Sequence, residues 1–119
     1  MAGIESRSLS SPDETRAPDK TKIEVVNVGD HEVGRMTLQP GWKWSECIKP
    51  VVHTETCQAE HLGYVISGRI HIQQHDGSGA DLEPGDAYTI APGHDAWVLG
   101  NEPFICVEFK SAATYAKAT

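Results

Sequence analysis

The stretch HLGYVISGRIHI, residues 61–72, decides the fold. It is rich in β-branched and aromatic residues (Tyr64, Val65, Ile66, Ile70, Ile72), and Arg69 and His71 alternate with Ile70 and Ile72. That period of two belongs to a strand with one buried face, and no helical stripe fits it. Gly68 splits the run into two short strands, because a residue without Cβ turns or bulges at least cost.

Working outward, residues 75–79 (HDGSG) carry an Asp-Gly pair suited to a hairpin turn that needs positive φ. Residues 81–86 (DLEPGD) are a second turn, 87–90 a strand, Pro92-Gly93 a third turn, and 96–99 and 104–109 the closing strands. Upstream, 23–28 reads as a first strand ended by Gly29-Asp30, and 33–38 as a second closed by Gln39-Pro40-Gly41. Residues 41–50 (GWKWSECIKP) place Trp42 and Trp44 at alternate positions, on one face of a strand, to fill the core, meet a second subunit or stack on a ligand. Residues 51–60 read as a loop and short strand in which His53, Glu55 and Cys57, if extended, point the same way.

The chain has 119 residues, room for one domain. Its first 21 residues hold serine, charge and two prolines with almost no large apolar side chain. Such a composition does not offset its ordering entropy, so 1–21 is expected to be a mobile tail, the alternative being an arm that pairs with another subunit. The folded domain is then expected over 22–110, and 111–119 is a short tail with at most one frayed helical turn. Seventeen acidic against 10 basic residues give a net charge of -7, which speaks against nucleic acid or an anionic membrane as partner.

No apolar run approaches the length of a membrane span, and no secretory leader is legible, so a cytoplasmic protein is expected. Cys47, Cys57 and Cys106 are odd in number and lack CxxC spacing, which does not indicate a disulfide framework. No convincing nucleophile arrangement and no glycine-rich phosphate loop appears.

Roughly eight short strands with regular glycine and proline turns, and no convincing helix before the C-terminus, predict a small all-β barrel. Within it, Pro84-Gly85-Asp86 followed by Ala91-Pro92-Gly93-His94 resembles the second conserved motif of cupins, and His61 through Gly68 resembles the end of the first. The resemblance covers about residues 22–110 and implies a cupin-type double-stranded β-barrel, or jelly roll, and a homodimer formed through sheet edges or strand exchange. The apolar outer face of Leu62, Tyr64 and Ile66 would need such cover.

The ligand pattern departs from the one usual in metal-binding cupins. Counting back from Gly68 puts His61 where a glutamate usually stands, with Cys57 and Glu55 at the two histidine positions. In the second motif Ala96 holds the usual histidine position, and His94 lies two residues early. The substituted set, Cys57, His61 and His94 with Glu55 as a fourth, still offers sulfur, nitrogen and oxygen donors. Zinc is the first expectation, with iron, nickel or copper as alternatives.

Tyr64, Trp97, Asp95 and His53 are candidates to line a ligand pocket, Asp95 either orienting a histidine or capping its own turn. Two function classes stay open. One is a metal-dependent site acting on a small molecule, and the other is a metal-free module that binds or senses a small molecule inside the barrel.

Overall fold

The computed structural model describes residues 3–110. Eleven elements follow one another: β1 (Glu14–Arg16), β2 (Thr21–Val28), β3 (His31–Leu38), α1 (Trp44–Cys47), α2 (Lys49–Val52), β4 (His61–Ser67), β5 (Arg69–Gln74), β6 (Gly79–Leu82), β7 (Ala87–Ile90), β8 (His94–Leu99) and β9 (Phe104–Lys110). The strands build a six-stranded sheet in the order β1-β2-β3-β9-β4-β7 and a three-stranded sheet in the order β6-β5-β8, with antiparallel pairing throughout. The fold is all-β.

Alternation along β4 explains the division between core and surface. His61 and Val65 point inward and are buried, while Leu62, Tyr64 and Ile66 point outward and are exposed. At the corner between β4 and β5, Gly68 has a φ of 76°, and a Cβ there would collide with the carbonyl oxygen of Pro103. Only glycine fits without displacing the chain. The core between the sheets is filled by Ile23, Met36, Leu38, Ile70, Phe104 and their neighbours, capped by Trp42 and Trp44.

One expectation is corrected here. Residues 44–52 are helical turns and not a strand, so Trp42 and Trp44 reach the core from a turn and a helix start instead of alternating along one edge. Trp42 Nε1 donates to Thr21 Oγ1 at 2.9 Å, which ties this segment to β2. Within the residues whose composition predicts a tail, β1 pairs with β2 in the register Glu14↔Val25 and Arg16↔Ile23. The residues before it are also attached: Glu5 accepts from the Gly29 amide, Arg35 donates to the Leu9 carbonyl, and Asp13 accepts from Arg7 and from the Asn27 amide. A run too polar to build a core is held by the edges and charges of strands already formed. No helix of the described residues is long and apolar enough to cross a membrane.

Candidate metal centre

Three separate parts of the chain meet at one point between the sheets. His61 opens β4 of the six-stranded sheet, His94 opens β8 of the three-stranded sheet, and Cys57 comes from the loop before β4. A single β-bridge fixes the loop: the Cys57 amide donates to the His94 carbonyl at 2.7 Å, and the Gly93 amide to the Cys57 carbonyl at 2.7 Å. Gly93 carries a φ of 95°, the turn that aims His94 inward. One ligand atom from each of Cys57, His61 and His94 lies within 4.8 Å of the others, and all three residues are buried.

The rings are oriented through their other nitrogen. His61 Nδ1 lies 2.6 Å from Glu108 Oε1, and its Nε2 faces the Cys57 sulfur at 3.7 Å. His94 Nδ1 donates to the Ala91 carbonyl at 2.8 Å, which leaves Nε2 as that ring's lone-pair site. Glu108 is itself buried and takes a second hydrogen bond, from the Tyr88 hydroxyl at 2.6 Å.

Electrostatics follow the geometry. Burial opposes ionisation of Cys57, but the His61 and His94 rings outweigh it and bring the thiol down to about 7. For His61 burial works against the charged ring, yet Cys57 and Glu108 on its two sides raise it to about 9. Burial, with Cys106 and Glu108 beside it, raises Tyr88, so its hydroxyl keeps its proton. Cys106 is likewise raised, by burial and then by Glu108, and stays a thiol.

The donor set fits a metal ion. With bond lengths of about 2.3 Å to sulfur and about 2.0 Å to nitrogen, tetrahedral geometry separates the two donors by about 3.5 Å. The 3.7 Å between Cys57 Sγ and His61 Nε2 lies close to that value. Both imidazoles present Nε2 while Nδ1 is engaged, the arrangement in which a ring binds a cation with its tautomer fixed. A void of about 30 Å³ adjoins the cluster. Its wall is mostly apolar, with Leu38, Ile72 and Phe104 among its residues, and its polar end is His61, His94, Tyr88 and Glu108.

The other expected site residues lie elsewhere. Glu55 is exposed and paired with Lys49 at 3.0 Å, so it is no fourth donor. His53 is exposed and caps α2 in a left-handed conformation, φ 63°. Tyr64 stands on the outer face of β4. Trp97 faces out from β8, against the His71 ring at 4.8 Å and the Lys43 ammonium at 5.2 Å. Asp95 takes the turn role, accepting from the Ser45 and Ala96 amides at 3.2 and 2.8 Å. The helical turns over 44–52 and the strand parity of β4 and β8 account for all five.

Glu108 and Tyr88 are the site residues that sequence reasoning missed. The signal for them was parity: Phe104, Cys106 and Glu108 share the inward face of β9, as Tyr88 and Ile90 share that of β7.

No family profile matches the chain, and no curated protein is similar to it in sequence. Solved structures do resemble it. The oxalate decarboxylase of Lactobacillus farciminis, solved as a formate complex, superposes with a TM-score of 0.64 at 16% identity over 91% of this chain and 32% of its own. This chain therefore spans about a third of that enzyme. A protein of unknown function from Rhizobium leguminosarum bv. viciae gives 0.63 at 18% identity, covering 90% of this chain and 95% of its own. A cupin-like protein of Thermotoga maritima gives 0.53 at 14% identity, over 76% and 67% respectively. The two antiparallel sheets and these likenesses together give the chain the fold of the cupin superfamily.

Proposed function

We propose that the chain binds a divalent metal ion through Cys57, His61 and His94 and presents it to a small molecule in the void between the sheets. The observation that carries this reading is the meeting of three buried donors, from two sheets and a loop, within 4.8 Å. Zinc is the first choice, since one thiolate and two imidazoles are donors it favours, with iron, nickel and copper as competitors. Three protein donors leave a position for water or substrate, and a metal there would act as a Lewis acid.

The size of the void restricts the partner. About 30 Å³ holds one or two waters or a ligand of comparable size. Formate, bound by the Lactobacillus farciminis enzyme, is of that scale. We propose a ligand of a few heavy atoms, its polar end toward His61 and His94.

A second reading has its own support. Without a metal, the 3.7 Å contact between Cys57 and His61 is a thiolate–imidazolium pair that satisfies both groups, as a metal-free binding module would require. Elemental analysis separates the two. Protein purified without added metal is expected to carry about one ion per chain, and His61→Ala to lose it while remaining folded. Wild-type protein that holds no metal and takes none up on titration with Zn(II) would leave the metal-free reading standing.

Oligomeric state and location belong to the same proposal. Leu62, Tyr64, Ile66 and Phe109 are each about half exposed on the outer face of β4 and β9, and we propose that a second copy covers them. The three cysteines are buried and free, which suits a reducing cytoplasm.

A further inference from the structure

The six-stranded sheet contains a polar arrangement that the ligand set does not explain. Glu108 on β9 sits at the cross-strand position opposite Gly63 on β4, and Gly63 is in turn opposite Tyr88 on β7. On the other side of β9, Glu108 is opposite Gly34 of β3. Glycines therefore flank the carboxylate on both neighbouring strands. A Cβ at Gly63 would come within 2.7 Å of the Tyr88 hydroxyl and 2.6 Å of the Val107 carbonyl oxygen. The missing side chain is what lets Tyr88 reach across the whole width of β4 to the carboxylate.

A carboxylate 3% exposed among apolar side chains is costly unless it is held by donors. This one receives the Tyr88 hydroxyl on Oε2 and the His61 Nδ1 proton on Oε1, both at 2.6 Å. Tyr88 fixes the rotation of the carboxylate, which then fixes the ring of His61. Once Nδ1 is committed to Glu108, only Nε2 can offer a lone pair toward Cys57.

We infer that Glu108, braced by Tyr88 through the gap at Gly63, is the positioning residue of the centre, and that it selects the His61 tautomer whose Nε2 lone pair is offered to the cation. This rests on the metal reading above for its purpose but not for its geometry. Glu108 lines the polar end of the void but is no donor to the cation in this assignment, on which it acts through His61. It stands on β9, an interior strand of the sheet and the last described in chain order, outside both stretches that resemble cupin motifs.

The test uses the full-length protein with Zn(II) as probe and two readouts. Competition against a chromophoric chelator gives the zinc affinity, and nitrogen-edited proton NMR follows the hydrogen-bonded Nδ1 proton of His61 with and without zinc. Glu108→Ala is expected to weaken zinc about 10- to 100-fold and to abolish the downfield Nδ1 signal. Glu108→Gln keeps an acceptor for Nδ1–H without the charge, and should fall between the two while restoring the signal. If Glu108→Ala does not fold, Glu108→Met decides, since it fills the space without a strong acceptor for Nδ1–H, and zinc affinity equal to wild type there would overturn the inference.

Failure of the inference and failure of the metal reading look different. A wild type that binds zinc, with variants that bind it equally well and keep the Nδ1 signal, sinks the positioning role alone. A wild type that takes up no zinc, yet loses the Nδ1 signal in Glu108→Ala, sinks the metal and keeps the positioning role. A merely structural Glu108 would lower unfolding stability without moving the Nδ1 resonance of the folded protein.

Discussion

His61 stands 2.6 Å from Glu108 on one side of its ring and 3.7 Å from Cys57 on the other, so a single imidazole links a buried carboxylate to a buried thiol. The two sides act in the same direction on its charge, because each favours a proton on the nitrogen it faces. A metal at Nε2 must displace one of those protons, and the thiol must give up another.

Zinc affinity is therefore expected to rise with pH in two stages. Below about 7, Cys57 and His61 both hold protons that binding must release, so affinity gains about 100-fold per pH unit from these two groups. Between about 7 and about 9 only the His61 proton remains to be lost, and the gain falls to about tenfold per unit. Above that range these two groups contribute nothing further. Chelator competition across the range, corrected for the chelator's own protonation, measures the slope, and a flat profile between 7 and 9 would mean that the cation does not displace a proton from His61.

Tyr88→Phe removes a donor to a buried carboxylate while keeping the ring in the core. Loss of a hydrogen bond to a charged group is expected to cost about 1.5–3 kcal/mol in urea unfolding. A loss within about 0.5 kcal/mol, the range of an ordinary surface substitution, would show that the tyrosine hydroxyl does not support Glu108.

The fold was more legible than the site, for a physical reason. Turns announce themselves locally: Gly68, Gly77, Gly85 and Gly93 all take positive φ, a conformation that other residues avoid, so each could be placed from its neighbours alone. His94 could be placed because it follows the turn at Gly93, and His61 because it stands seven residues before Gly68, where the resemblance puts a ligand. Glu55, His53 and Trp44 were misplaced because nothing in residues 44–56 signals that the backbone coils instead of extending. Tyr64 and Trp97 point away from the void, and their strand parity already said so. Glu108 carried the same inward parity as Phe104 and Cys106, but an acidic residue in a closing strand draws attention only once a histidine is seen opposite it.

Gly68→Ala tests the corner from which the fold was read. Positive φ costs a residue with a Cβ about 1–2 kcal/mol, and the collision with the Pro103 carbonyl adds to that, so the total is expected to exceed about 2 kcal/mol. Gly77 has a φ of 95° but open space around it, so Gly77→Ala pays the backbone cost alone. Equal losses for the two variants in denaturant unfolding would contradict the close approach at Gly68.

Native-state trypsin digestion examines the N-terminal segment. Arg16 is 10% exposed, pairs with Glu14 at 2.7 Å and lies in the β1–β2 register opposite Ile23. Cleavage after Arg16 needs that edge to open, so the bond is expected to survive conditions that cut an unstructured chain at once. Rapid cleavage there, with a stable product starting at Ala17, would return the segment to the mobile tail that its composition suggests.

The outer face of the large sheet is apolar on one half only. Residues 5–13 are tied to β2 and β3, and Val26 on that side is 2% exposed, whereas Leu62, Tyr64, Ile66 and Phe109 remain 45–56% exposed on β4 and β9. Four such side chains on adjacent strands form a patch that isolated chains tend to cover, and a second copy would bring an identical patch to it. Tyr64→Glu places a charge at its centre without touching the core, since the residue points away from the void. The substitution is expected to shift sedimentation from a concentration-dependent dimer to a monomer while changing the stability of the single chain by no more than about 0.5 kcal/mol. A wild type that sediments as a monomer at every concentration would remove the dimer, and a Tyr64→Glu variant that stays dimeric would move the interface to another surface.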